Sequence, residues 1–471
     1  MKAKIYVTDN YGFMREREIF STSETVPGAV HLKIGENAVH KDFLGFGVAV
    51  TGSSCYLLRK MDGKKREELL RNLYGTVNTE AVTPPGPEMT NSKETEAISS
   101  AASPFGLGLS LGRVSVGSGD YSAEIYSYED EEGNFSIEKD RAYVLPTLHE
   151  ILRIAPNTEF FSASWSPPAR MKTGNSLCGG YMREKFIGEY VDYYCNFLDA
   201  YEKEGIRIFA ITPQNEPETE QDGKMPACIW EPDVEAKFIL QMYRKLREKR
   251  KDTQIWIYDY CFLGWRRVAW QLEEYPELLN CIGGAAFHYY HGGSDLVENL
   301  RERYPELSFH FTEGGPRLFD GYATDWCKWG STISRALNHG CKSFTGWNLL
   351  LDETGGPNVG PFFCGGLVTE NSQTGELTYS GQYRALSHFS RFIRRGAKFY
   401  SSVAVGEDRS TFLYRPGFVE LETCVAENPD GEWIVQIVNP GEEKKQICFT
   451  AKGHHWYIEV LPNSLNTVVL K

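Results

Sequence analysis

The sequence predicts an α/β fold, a (β/α)8 TIM barrel with an additional β-sandwich domain, and three observations carry the prediction. At 471 residues the chain is too long for one compact core and fits a large barrel with a smaller partner. Between about residues 43 and 395, short apolar runs that stop abruptly on polar residues alternate with segments of helical spacing. Beyond Gly396 the hydrophobic period changes to two, and Asn428-Pro429-Asp430-Gly431 and Asn439-Pro440-Gly441 read as hairpin turns. The domain boundaries follow: 1–42 as strands, 43–395 as the barrel, 396–471 as the sandwich.

In chain order, Lys4-Ile5-Tyr6-Val7-Thr8 and Val30-His31-Leu32-Lys33-Ile34 alternate like strands and carry no chemistry. Residues 43–50 form the first barrel strand, followed by Thr51-Gly52-Ser53-Ser54, and 64–73 form a charged outer helix. Residues 79–104, with Pro84, Pro85 and Pro87, break the pattern and read as an insertion ahead of a lid. Strand two covers 109–116. On it, Arg113 suits either electrostatic support of a carboxylate or an interior salt bridge, and Asp120 beyond it either reaches a ligand or caps a turn. Strand three begins at Glu159 and exits at Trp165, whose ring either stacks on a ligand or is buried for structure. Tyr190, Tyr194, Phe197 and Leu198 mark 183–204 as a core-facing helix.

Strand four, 207–211, runs into Thr212-Pro213-Gln214-Asn215-Glu216-Pro217; a helix at 232–249 and strand five at 254–260 follow. Strand six, 285–291, holds His288 and His291. That spacing lacks the His-Glu-x-x-His helix of a zinc site, so a hydrogen-bonding role is favoured over a metal. Strand seven ends on Phe311-Thr312-Glu313-Gly314-Gly315, where glycines permit close approach. Strand eight, 343–349, carries Trp347, a second stacking candidate. Residues 352–366 shape the far side of the cleft, and 382–395 form the last helix, with Arg391, Arg394 and Arg395 near its C-terminal end.

The formal charge of −13 argues against nucleic acid and anionic membrane surfaces. Eleven cysteines, scattered singly, suggest neither a zinc knuckle nor a disulfide framework. The N-terminus is too short in apolar residues for a signal peptide and nothing later approaches a membrane span, so a cytoplasmic location is expected. No cofactor is called for, and the sequence has no handle on oligomeric state.

In a parallel barrel the chemistry sits at the carboxyl ends of the strands, which makes Glu216 and Glu313 the candidate catalytic pair. Two such glutamates are what glycoside hydrolysis needs: one protonates the leaving oxygen while the other attacks the anomeric carbon or activates water.

Thr212-Pro213-Gln214-Asn215-Glu216-Pro217, Phe311-Thr312-Glu313-Gly314-Gly315, and Trp347-Asn348-Leu349 with Gly355-Gly356-Pro357-Asn358 resemble glycoside hydrolase family 30, from roughly Gly45 to the C-terminus. The family contains glucosylceramidases and bacterial β-1,6-glucanases. The resemblance implies a retaining mechanism with the acid/base on strand four, Glu216, and the nucleophile on strand seven, Glu313. It also implies an N-terminal strand paired into the C-terminal β-domain, and His288 and Tyr290 near the nucleophile, with the Tyr290 phenol donating to Glu313. Two departures argue for a differently walled pocket: Gly52 stands where glucosylceramidase relatives often place an Asp, and Val359 where they place an aromatic.

The expectation is a retaining, exo-type β-glycosidase of glucoconjugates or short β-1,6-gluco-oligosaccharides. Asn215 would bond the sugar 2-hydroxyl, the carboxyls would lie ~5 to 5.5 Å apart, and Glu216 would titrate above Glu313 so as to start protonated. The rivals are β-xylosidase or β-fucosidase activity, or a catalytically silent carbohydrate-binding protein. A carbohydrate is the expected partner.

Overall fold

The computed structural model describes residues 1–23, 28–76, 106–405 and 421–471. The predicted insertion at 79–104 lies outside the described residues, and the eight barrel strands fall within a few residues of where the sequence pattern puts them.

Eight parallel strands close into a barrel: Gly45–Ala49, Leu111–Ser115, Glu159–Ala163, Ile208–Thr212, Gln254–Cys261, Gly284–His288, Phe309–Glu313 and Cys341–Gly346. Both faces of such strands are covered, which is why they read as continuous apolar runs. The eighth returns to the first through Ser343 opposite Gly45. Phe161, Phe209 and Trp256 fill the interior below the strand ends, with the His310 ring stacked 3.8 Å from Trp256. Outside, helix Gly63–Tyr74 starts at Asp62, whose carboxylate accepts the Lys64 and Lys65 amides, and buries Leu69, Leu70, Leu73 and Tyr74. Helix Ile187–Lys203 turns Tyr190, Tyr194, Phe197 and Leu198 inward. The eleven cysteines are free and most are buried.

The second domain is one sheet of nine strands that draws on both ends of the chain. Lys2–Asp9 lies between Gly12–Phe20 and the C-terminal strand Ser464–Leu470, while Val30–His40 lies between Lys398–Val405 and Lys445–Ala451. The sheet folds over on itself into a sandwich. Ser21 bridges Trp456 between the two edge strands, and Ile5, Val7, Val435, Ile447, Trp456 and Val468 share one interior. The alternate residues Ile434, Val438 and Val469 face the barrel and join its core. At that junction His388, in helix Gly381–Phe389, bonds Thr467 at 2.8 Å and Thr8 at 2.7 Å.

Two expectations are corrected here. Asn428–Gly431 does join paired strands, but Asn439-Pro440-Gly441 does not, because the free side of Trp433–Asn439 is taken by Ser464–Leu470. The chain instead crosses over, held by the Asn439 amide donating to the Glu443 and Leu461 carbonyls at 2.8 Å each. The last barrel helix ends at Phe389, short of the three arginines, so Arg394 and Arg395 do not complement its dipole; they pair with Asp430 and Glu159.

Candidate active site

The carboxyl ends of strands two, four, five, six and seven converge on one cluster of charged groups. Arg113 rises from strand two and is 1% exposed. Its guanidinium donates to Glu313 Oε2, to Asn215 Oδ1 at 2.7 Å and to Asp259 Oδ2 at 2.8 Å. Tyr290 donates its hydroxyl to the other carboxylate oxygen, Glu313 Oε1, at 2.9 Å. His288 stands between the acids, with Nδ1 3.3 Å from Glu216 Oε1 and 3.8 Å from Glu313 Oε1, and Nε2 3.1 Å from Asp259 Oδ1.

Local backbone geometry aims these groups. Glu216 has a φ of 52°, a left-handed conformation that costs a non-glycine residue energy and is concentrated at functional sites. Tyr258 and Asp259 have φ of 83° and 67°, where the pairing of strands five and six shifts register. That bulge re-aims Asp259 into the barrel, where Thr212 and Thr312 each donate to it at 2.7 Å. The two glycines after Glu313 serve close packing: a Cβ on Gly315 would sit 2.8 Å from the Trp347 Cβ, and one on Gly314 would sit 2.9 Å from the Phe311 ring.

Burial alone would raise Asp259, but Arg113 and His288 outweigh it and hold this carboxyl well below the usual range. Burial disfavours a charged His288, yet Glu313, Asp259 and Glu216 overcome that and raise it to about 9, so it is an imidazolium at neutral pH. Glu216 is raised, first by burial and then by the charge of Glu313, against hydrogen bonds from His288 and Gln221. Asp120 is pushed up to about 8 by burial and by both glutamates, and its Oδ1 has no hydrogen-bond partner among the described residues.

Glu216, Glu313 and Asp120 line a cavity of about 440 Å³, with Arg113, His288 and Asp259 bonded behind them. Asp120, Trp165, Asn215, Tyr290 and Trp347 contribute to its walls, and Phe319, Phe362 and Phe363, 72%, 42% and 66% exposed, extend it toward solvent. Trp165 and Trp347 are 2% and 3% exposed and stack on each other at 5.4 Å, with the Arg113 guanidinium 4.8 Å from Trp165. They form a wall rather than two free ring faces. Because Arg113 occupies the Asn215 carbonyl, the amide NH₂ is what Asn215 offers a ligand.

Every site residue expected from the sequence thus borders this cavity or bonds a residue that does. Gly52 does not: it opens helix Gly52–Lys60, and a Cβ there would sit 3.1 Å from Ser122 Oγ. The aromatics missing at Val359 are supplied three and four residues later by Phe362 and Phe363. Glu216, His288 and Glu313 bring donor atoms within 4.8 Å of one another, close enough to surround a cation. A protonated His288 has no lone pair to give one, so the set fits proton sharing better.

Asp259 and Gln221 were not singled out by sequence reasoning. A lone acid inside the apolar run Ile255-Trp256-Ile257-Tyr258-Asp259 was the available signal for the first. Nothing in the sequence marks Gln221, which donates to Glu216 Oε2 at 2.8 Å.

Comparison with known proteins agrees with this architecture. The sequence model described as "Glycosyl hydrolase family 30 TIM-barrel domain" matches residues 87–393, well over half the chain. An endo-1,6-β-D-glucanase of Neurospora crassa is 26% identical over 454 residues, spanning 90% of this chain and 85% of its own. The lysosomal acid glucosylceramidase of Mus musculus is 23% identical over 456 residues, spanning 90% and 83%. Among solved structures, the endo-β1,6-glucanase BT3312 superposes with a TM-score of 0.84 at 22% identity over 100% of this chain and 99% of its own, a likeness of fold.

Proposed function

The chain belongs to glycosyl hydrolase family 30 and is a glycoside hydrolase; within that class we propose a retaining, exo-acting β-glycosidase that cleaves β-glucosidic bonds of a glucoconjugate or short β-1,6-gluco-oligosaccharide. One observation carries the reading: carboxylate oxygens of Glu216 and Glu313 lie within 4.8 Å of each other across the cavity. Inverting enzymes hold their two carboxyls about 6.5 to 9.5 Å apart to admit a water between them, and retaining ones about 5 to 5.5 Å.

In the first displacement, a Glu313 oxygen attacks the anomeric carbon while the glycosidic bond breaks and Glu216 gives its proton to the departing oxygen. Arg113 and Tyr290 hold Glu313 in line and keep its charge compensated until the bond forms. In the second, Glu216 takes a proton from water, the water oxygen attacks the anomeric carbon, and Glu313 leaves as a carboxylate. The Asn215 amide faces the sugar 2-hydroxyl, and Asp120, neutral below about 8, offers a hydroxyl donor to the ring's far side.

Exo action is supported by the hydrogen bonds that tie the wall around Asp120, where we place the glycone, to residues 359–364. Tyr121 donates to the Phe362 carbonyl at 3.1 Å, the Val359 amide to the Asp120 carbonyl at 2.8 Å, and the Cys364 amide to the Tyr121 hydroxyl at 3.0 Å. The exposed side chains of Phe319 and Phe363, where the cavity meets solvent, suit the leaving group. Endo action on a β-1,6-glucan is the second reading, favoured by the name of the Neurospora crassa relative. Digestion of a gentio-oligosaccharide series decides between them: glucose as the sole early product is expected, and internal fragments would establish endo cleavage. A panel of p-nitrophenyl β-glucoside, xyloside, fucoside and galactoside tests the glycone, with the glucoside expected to be fastest. Absence of turnover on every substrate would reject the enzymatic reading.

A further inference from the structure

The acid/base faces two donors of different kinds. Glu216 Oε1 is turned to the His288 imidazolium, which it shares with Glu313. Glu216 Oε2 accepts from the Gln221 amide at 2.8 Å. Gln221 reaches it because the chain folds back within five residues of the acid it serves. Gln221 and Asp222 both have φ of 51°, the Gln221 amide N–H is held by Thr219 Oγ1 at 3.1 Å, and the Thr219 N–H returns to the Glu216 carbonyl. Across the cleft, Glu220 accepts the Gly180 amide at 3.0 Å and ties this turn to the loop after strand three. Thr219 and Gln221 both line the catalytic cavity.

We propose that Gln221 is a positioning residue that holds Glu216 by Oε2 and favours its ionised form, serving the second displacement rather than the first. The inference rests on Glu216 being the acid/base of the proposed reaction. An amide NH₂ only donates, so its bond strengthens when the oxygen it faces becomes a carboxylate. Burial and the Glu313 charge favour the protonated acid that the first displacement consumes. Once Glu313 is esterified that charge is gone, and Gln221 with His288 stabilises the carboxylate that must now deprotonate water. Glu216 is otherwise faced by Glu313 from strand seven, His288 and Tyr290 from strand six and its exit, Tyr260 and Cys261 from strand five, and Asp120 from the strand-two loop. Burial keeps the two phenols and the thiol neutral across the working range, which leaves Glu313 and His288, joined by Asp120 above about pH 8, as the charges against which Gln221 acts.

The test reads Glu216 directly. Protein carrying carbon-13 at the glutamate carboxyls is titrated by NMR, with the Glu216 signal assigned from its loss in Glu216→Gln. Gln221→Met, which keeps the length and removes the donor, raises the Glu216 midpoint by about 0.5 to 1 pH unit. Gln221→Glu, which adds a like charge, raises it further. On an aryl β-glucoside the alkaline limb of kcat/KM moves the same way, while kcat falls about two- to tenfold and KM falls with it as the glycosyl-enzyme accumulates. Unchanged unfolding temperatures confirm that the loop variants remain folded. A Glu216 midpoint that stays put or drops in Gln221→Met overturns the inference. Failure of the glycosidase reading shows separately, as a wild-type protein that turns over no glycoside while the titration still decides the role of Gln221.

Discussion

Two buried aspartates in this molecule are fully satisfied in opposite ways. Asp259, at the barrel mouth, is 0% exposed and is held by Arg113, His288 and two threonines. Asp140, 1% exposed and behind the strand-two loop, is held by three neutral phenols: Tyr126 and Tyr128 at 2.6 Å each, and Tyr201. Asp140 is raised, because burial outweighs the three phenol bonds. Asp259 is lowered, because two cations outweigh the same burial. Neutral donors satisfy a carboxylate and knit a core. Charged partners also fix its ionisation, and through Arg113 and His288 that fixed charge reaches both Glu216 and Glu313.

The sharpest break is at the charged cluster itself. Glu313→Gly should lower turnover at least about 10⁴-fold, and azide should restore it on an activated glucoside by taking the vacated place of the carboxylate. Undiminished turnover in that variant would remove Glu313 from the reaction. Next comes Asp259→Asn, which leaves Arg113 and His288 short of a counter-charge. Breaking a buried pair costs about 3 to 5 kcal/mol of stability, and kcat/KM should fall about 10²-fold as both glutamates lose their alignment. Calorimetric unfolding and initial rates report the two losses separately.

At Asp140 the same substitution should act on stability alone. Asp140→Asn leaves one or two phenols imperfectly paired, a loss of about 1 to 3 kcal/mol, with kcat/KM within about twofold of wild type. Equal catalytic losses at the two aspartates would erase the distinction between them.

The smallest effect is in the pH dependence, where the signs are opposed. An unfolded Asp titrates near ~3.9. Asp259 titrates below that when folded, so its contribution is fully present above the unfolded value and is lost as pH falls through the folded one. Asp140 titrates above it, so its ionisation subtracts stability as pH rises from the unfolded value to the folded one. On acidification the stability gap between wild type and Asp259→Asn should narrow, while that between wild type and Asp140→Asn should widen. Unfolding temperatures across the acid range check both trends.

How legible each region was in the sequence follows the same divide. Glu216 and Glu313 stood out because each ends an apolar strand, a local signal that needs only a few residues to read. The barrel strands were legible for the same reason, since burial on both faces leaves a short, nearly continuous apolar run. Asp259 was obscured by a register shift that no pattern of period two encodes, although its charge inside an apolar strand marked it as anomalous. Gln221 depends on left-handed backbone at non-glycine positions, which composition does not announce. The Asp140 cluster draws in Tyr201 from 61 residues away, a separation that no local pattern reads. The same limit misread Asn439-Pro440-Gly441: turn chemistry specifies a reversal, while the neighbouring strand is chosen by the sheet.

The division of labour between the two glutamates is tested most directly by trapping the covalent intermediate. With 2-deoxy-2-fluoro-β-glucosyl fluoride, peptide mass spectrometry should find one glycosyl adduct, on the carboxylate of Glu313. An adduct on Glu216, or release of the α-anomer as first product without any adduct, would contradict the account.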